Sequence, residues 1–138
     1  MKRVLLIEQD ATLRTTFRHF LEEKGYEVVD ADDGSAALET CRDFKPQIVI
    51  TNLSATLKHP TNRSVVSALR CEFEKLPIIS ISGSPAASAE SEALDMGASL
   101  HMTKPVQGAE LVATVEHLVR TQNRAKFGGD AIPEADER

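Results

Sequence analysis

The sequence predicts an α/β fold in which a parallel β-sheet carries helices on both faces. Short aliphatic runs alternate five times with longer segments of helical periodicity. Strands that alternate with single helices form parallel sheets, because each crossover helix covers one face. The chain has 138 residues, 41% of them hydrophobic, which fits one domain with its own core.

The first strand, the first helix and the second strand follow one another closely. Residues 4–7 form the first strand, and residues 27–31 form the second. Asp10 is a suitable N-cap for the intervening helix, and Gly25 is a suitable C-cap. The apolar face of this helix consists of Leu13, Phe17, Phe20 and Leu21.

The middle of the chain holds the central strand between two helices. The second helix ends at Pro46, and its apolar positions are Ala37, Leu38, Cys41 and Phe44. Residues 48–50 are apolar on both faces, as a central parallel strand requires. After the polar stretch 54–62, a third helix has its apolar positions at Val65, Val66, Leu69, Phe73 and Leu76.

The last two units complete the predicted domain, residues 1–122. Residues 77–82 form the fourth strand and residues 86–96 the fourth helix. Residues 99–103 form a weak fifth strand, and the fifth helix, with Leu111, Val115 and Leu118 on one face, ends near Gln122.

The last residues of the sequence differ in composition from the rest. Residues 123–138 contain Gly128, Gly129 and Pro133 among mixed charges. This composition predicts a flexible tail or the start of a linker.

Composition excludes several classes of function. The formal net charge is −5 and basic residues are scattered singly, whereas nucleic-acid binding needs clustered Lys and Arg. The longest aliphatic run is too short for a membrane span or a signal-peptide core, so we expect a cytoplasmic protein. Cys41 and Cys71 are too few for a disulfide framework and lack zinc-ligand spacing.

Polar side chains follow four of the predicted strands. In an open α/β sheet the functional site lies outside the carboxyl ends of the strands. A flavodoxin-like strand order, 2-1-3-4-5, brings the ends of strands 1, 3, 4 and 5 together. The residues there are Glu8, Gln9, Asp10, Asn52, Ser82 and Lys104.

Over residues 2–122 the chain resembles the receiver domain of two-component response regulators. The order and spacing of several short segments carry the resemblance. They are Val4-Leu5-Leu6-Ile7-Glu8, Gly25-Tyr26-Glu27-Val28, Asp33-Gly34 with Ala37-Leu38, Pro46 to Leu53, Pro77 to Ser82, Gly97-Ala98 and Lys104-Pro105.

The resemblance implies a role for each strand-end residue. Glu8 and Gln9 stand at the acidic pair that holds Mg²⁺ in the family. Asn52 stands at the phosphoacceptor Asp, and Ser82 and Lys104 stand at the positions that contact the phosphoryl group.

The chain departs from the family at the residues that carry the chemistry. A carboxylate is the nucleophile that forms an aspartyl phosphate, and the neutral Asn52 amide cannot replace it. Two of the family's three carboxylates are absent, so Mg²⁺ binding should be weak or lost, although Asp10 adds negative charge nearby. His101 occupies the aromatic switch position, and Leu57 replaces a usual Pro.

Structural interpretations of the same residues stay open. Asn52 could hydrogen-bond Ser82 or Lys104 in a polar cluster without a ligand. Glu8 and Lys104 could form a partly buried ion pair. His101 could sense pH, or be an ordinary half-exposed edge-strand histidine.

Three hypotheses of function follow. The favoured one is a degenerate, phosphorylation-independent receiver that binds proteins and catalyses no reaction. The second is a working phosphorelay receiver whose phosphoacceptor has moved, for example to Asp10. The third is a small-ligand binder. The loop of residues 8–12 argues against it, because this loop lacks the small residues that cradle a phosphate.

The expected partners are proteins: a sensor histidine kinase, or an output protein bound to the face of the fourth helix, fifth strand and fifth helix. No cofactor, nucleic acid or membrane is expected to bind this domain, and a homodimer stays open. The polar residues on that face are Ser88, Glu90, Ser91, Glu92, Glu116 and Arg120.

Overall fold

Strands and helices alternate five times along the described chain. The computed structural model describes residues 2–57, 63–83 and 87–126, with the side chains of residues 123–126 excepted. The strands are β1 (Arg3–Ile7), β2 (Glu27–Ala31), β3 (Ile48–Asn52), β4 (Ile78–Ser82) and β5 (Leu100–Thr103). The helices are α1 (Ala11–Glu23), α2 (Ala37–Phe44), α3 (Val65–Glu72), α4 (Ala87–Met96) and α5 (Gly108–Lys126).

The sheet has the predicted order, β2-β1-β3-β4-β5, and every described pairing is parallel. This confirms the flavodoxin-like α/β fold class. All five residues of β3 are buried, as expected of a central strand with both faces covered. Three polar residues lie side by side across the sheet, because Thr51 pairs with Ser80 and Ser80 pairs with His101.

Helices cover both faces of the sheet. On one face, Leu6 and Ile50 pack with residues of α1 and α5. On the other, Leu5 and Val49 pack with residues of α2, α3 and α4. Each fully buried Leu or Ile side chain stabilises the fold by about 2 kcal/mol relative to exposure. Two buried clusters therefore hold the strand ends in place.

The predicted caps of α1 are present. The Asp10 carboxylate accepts a hydrogen bond from the backbone N–H of Leu13 at 3.1 Å. Gly25, with φ of 91°, follows the C-cap residue Lys24 and turns the chain toward β2. None of the described helices combines the length and apolar character needed to cross a membrane.

Several boundaries differ from the sequence prediction. α3 ends at Glu72, so Phe73 and Leu76, predicted on its apolar face, lie beyond the helix, and Arg70 donates to the backbone carbonyl of Phe73 where the helix stops. β4 begins at Ile78 rather than at residue 77, a proline without a backbone N–H for the ladder. α5 extends past the expected end near Gln122 to Lys126. Residues 123–126, expected to begin the tail, therefore belong to the helix, and three of them are Arg, Ala and Lys, which are good helix formers. The rest of that tail, residues 127–138, lies outside the described residues.

Candidate functional site

The candidate site lies at the carboxyl edge of the sheet. β1 is followed by Glu8 and Gln9, β3 ends at Asn52, β4 ends at Ser82, and Lys104 follows β5 directly. The strand order makes β1, β3, β4 and β5 neighbours, so these side chains meet at one edge.

Glu8 and Lys104 form the ion pair that the sequence suggested. Lys104 Nζ lies 3.2 Å from Glu8 Oε2, and the same oxygen accepts a hydrogen bond from the backbone N–H of Asp10 at 3.0 Å. Arg14 donates to the Glu8 carbonyl oxygen at 2.7 Å. The Glu8 side chain is only 2% exposed, so its carboxylate is stabilised by Lys104 and the Asp10 N–H rather than by water.

Asn52 is fixed mainly through its backbone. Its carbonyl oxygen accepts from the Ala55 N–H and from the Thr51 hydroxyl, both at 3.2 Å. Contrary to expectation, its amide makes no hydrogen bond to Ser82 or Lys104 among the described residues. Asn52 is paired with Ile81, so Ser82 lies one residue further along β4.

Two small cavities flank Asn52. One, of about 330 Å³, is also lined by Ser54, Ser82, Ser88 and Glu92. It lies between the strand ends and α4 and could accommodate a small polar group.

The second cavity, of about 170 Å³, is lined by Gln9, Asp32, Asp33 and Asn52. Sequence reasoning missed the two aspartates. Their position directly after β2 was the available signal, but β2 is an edge strand and was not expected to reach the site. Within residues 2–57, 63–83 and 87–126, no three His, Cys, Asp or Glu side chains are grouped to hold a metal ion.

His101 is bonded through both ring nitrogens. Nδ1 lies 2.9 Å from the Ser80 hydroxyl and Nε2 lies 3.3 Å from the Ser82 hydroxyl. The ring is half-buried, and Ser80 is fully buried beside it. Sequence reasoning placed Ser82 in the site but missed Ser80, although the alternation of Ser and Ile in β4 puts both serines on one face.

The two cysteines have different surroundings. Cys41 is buried on the sheet-facing side of α2, and this burial raises the pKa of its thiol to about 12, which makes it unreactive as expected. Cys71 is exposed, also as expected. Arg63 donates to the Cys71 sulfur at 2.8 Å, a contact that the sequence did not indicate.

The expected partner face presents polar side chains and one large apolar side chain. The exposed positions include Ser88, Glu90, Ser91, Glu92 and Arg120, and Glu116 is half-buried. Leu94, on the same helix as Glu90, is 45% exposed.

Comparison with known proteins agrees with this architecture. The sequence profile of the response regulator receiver domain matches residues 4–116. The transcriptional regulatory protein PrrA of Mycobacterium tuberculosis is 30% identical over 118 residues, covering 86% of this chain and 50% of PrrA. The alkaline phosphatase synthesis transcriptional regulatory protein PhoP of Bacillus subtilis is 28% identical over 119 residues, covering 86% of this chain and 49% of PhoP. The chain thus spans about half the length of these curated relatives.

Solved structures show the same fold. NtrX from Brucella abortus superposes with a TM-score of 0.82 at 20% identity, covering 93% of this chain and 29% of NtrX. A CheY-like response regulator receiver domain protein from Methanospirillum hungatei superposes with a TM-score of 0.79 at 18% identity, covering 91% and 98% of the two chains. The chain belongs to the response regulator receiver domain family of two-component systems.

Proposed function

We propose that this chain is a degenerate receiver domain that acts as a protein-interaction module without being phosphorylated. The observation that carries the proposal is the residue at the end of β3, which is Asn52 and not a carboxylate. An aspartyl phosphate forms by attack of a carboxylate oxygen on phosphorus. The amide oxygen of Asn52 is neutral and its nitrogen lone pair is delocalised, so neither atom serves as this nucleophile.

The charge of the site supports the same proposal. Gln9 is neutral, and Glu8 is already engaged by Lys104 at 3.2 Å. Mg²⁺ dehydrates reluctantly and is bound mainly through carboxylates. Asp32 and Asp33 line the cavity beside Gln9. The residues that line the same cavity from the ends of β1 and β3 are uncharged. We therefore expect Mg²⁺ to bind weakly or not at all.

Asp10 is a poor substitute phosphoacceptor. Its side chain caps α1, where one oxygen accepts the Leu13 N–H at 3.1 Å. Phosphorylation of this carboxylate would have to rearrange a cap worth about 1 kcal/mol.

We place the interaction surface on α4, β5 and α5. Exposed Leu94 lies there one helical turn after the exposed carboxylate of Glu90. Such a surface suits a sensor histidine kinase or an output protein with a small apolar pocket and basic neighbours, and a second copy of the chain is the alternative. We also place the protein in the cytoplasm.

The decisive experiment is incubation with acetyl phosphate and Mg²⁺, read by intact mass and by amide NMR. We expect no phosphoryl adduct and no shifts along β5. Asn52→Asp, which restores the carboxylate, is the matched positive control. A stable adduct on the unmodified chain, mapped to Asp10 and lost in Asp10→Asn, would replace the proposal with a working phosphorelay receiver.

A further inference from the structure

His101 links the centre of the sheet to the candidate site through two serines. Ser80 is fully buried in β4 and lies 2.9 Å from Nδ1. Ser82 borders the cavity next to Asn52 and lies 3.3 Å from Nε2. The imidazole therefore bridges a residue of the core and a residue of the site.

The bridge has different hydrogen-bond states for neutral and protonated imidazole. A neutral ring has one N–H and one acceptor nitrogen, so one of the two serine hydroxyls donates to it and the other accepts. A protonated ring donates from both nitrogens, and both hydroxyls must then accept. When Ser82 accepts, its own O–H proton points away from the His101 ring.

The charged groups around this bridge are few. β4 carries no charged side chain. α4, the helix packed against β5, carries Glu90, Glu92 and Asp95. Lys104 follows β5, and its ammonium is paired with Glu8. Among the described residues, no carboxylate forms an ion pair with His101, and the ring nitrogens lie within hydrogen-bond distance of the two serine hydroxyls.

We propose that His101 carries its single proton on Nδ1 when neutral and is a proton-operated switch, in which protonation at Nε2 reverses the hydrogen bond of Ser82 and changes the contact of β5 with α4. The switch rests on the proposed function, because it supplies an input to a site that phosphate does not reach. Imidazole is the side chain that ordinarily changes charge between about pH 5 and pH 8, so protonation is the input to test.

The test is an NMR titration of the whole chain from pH 8 to pH 5 without any phosphodonor. The readouts are the His101 ring carbon and the backbone amides of Ser80, Ser82 and α4. We expect the amide shifts to follow the same midpoint as the His101 ring. His101→Phe should abolish these shifts, whereas His117→Gln, which removes an exposed imidazole on α5, should leave them unchanged.

Two results would overturn the switch. One is that the amide chemical shifts of Ser82 and α4 stay constant while the His101 ring titrates, or that the ring does not titrate between about pH 8 and pH 5. The other is an unchanged pH response in His101→Phe. Neither result bears on the acetyl phosphate experiment, so failure of the switch and failure of the proposed function can be told apart.

Discussion

The Lys104 ammonium and the Glu8 carboxylate, 96 residues apart in sequence, meet at 3.2 Å across the carboxyl edge of the sheet. Glu8 is 2% exposed, whereas the Lys104 side chain is 26% exposed. A buried carboxylate is costly unless it is paired, and Lys104 is the cation that pairs it. The ion pair therefore fixes the ends of β1 and β5 relative to each other.

Removing Lys104 should destabilise the domain strongly. We expect Lys104→Met to lower the free energy of unfolding by about 3 kcal/mol, because Glu8 stays buried without its partner. Urea denaturation measures the loss. Lys75→Met, at an exposed lysine, is the control, and Glu8→Gln combined with Lys104→Met should recover most of the stability. Equal losses in the two lysine variants would contradict this role.

Restoring the two missing carboxylates should restore metal binding. We expect Gln9→Asp combined with Asn52→Asp to bind Mg²⁺ at millimolar concentration in calorimetry, and the unmodified chain to show no tight site. Gln122→Asp, beside Pro77 at the opposite end of the sheet, controls for the effect of one added negative charge outside the site. A tight Mg²⁺ site in the unmodified chain would be incompatible with a degenerate pocket.

Gly34 should tolerate no side chain. A methyl group at Gly34 would collide with the Val65 side chain and lie 3.0 Å from the Thr56 carbonyl oxygen. We expect Gly34→Ala to lower the free energy of unfolding by about 2 kcal/mol through overpacking. Gly83→Ala is the matched control, because a methyl group there meets no atom of the described residues within 4 Å. Thermal melts that move equally for both variants would disprove the close packing.

Stability should fall at alkaline pH. Burial raises the pKa of the Tyr26 phenol from 10.0 to about 12, and burial likewise raises the pKa of Cys41 from 9.0 to about 12. The unfolded chain loses these protons at lower pH than the folded chain does. Stability is therefore complete below about pH 9 and declines toward pH 12.

Tyr26→Phe isolates one of these contributions. At pH 11 the original chain should have lost about 1 kcal/mol more of its pH 8 stability than the Tyr26→Phe variant. Urea melts of both proteins at the two pH values measure the difference. Parallel pH dependence of the two proteins would refute the contribution of Tyr26.

The sequence was sufficient for features that depend on local pattern. The aliphatic run before Glu8 and the strand-end positions of Ser82 and Lys104 located the edge of the sheet correctly. The inferred strand order placed Glu8 and Lys104 at the same edge and left their ion pair as a possibility, which the structure confirms.

Features that depend on register or loop path were not accessible from the sequence. The Ser80–His101 contact requires the pairing of β4 with β5 residue by residue, which periodicity alone does not fix. Asp32 and Asp33 reach the second cavity through the path of the loop after β2. Arg63 and Cys71 meet because of the path by which the chain enters α3. The sequence predicted where α3 begins but not the path of the residues that lead into it.

The backbone around Asn52 also bears on how the protein ages. Spontaneous deamidation of an asparagine begins when the backbone nitrogen of the next residue attacks the side-chain carbonyl carbon. Here that nitrogen belongs to Leu53, and its N–H is held by the Ile81 carbonyl oxygen at 2.8 Å in the sheet. The ladder thus protects Asn52 from slow conversion into an aspartate, and old and newly made molecules should respond alike to phosphodonors.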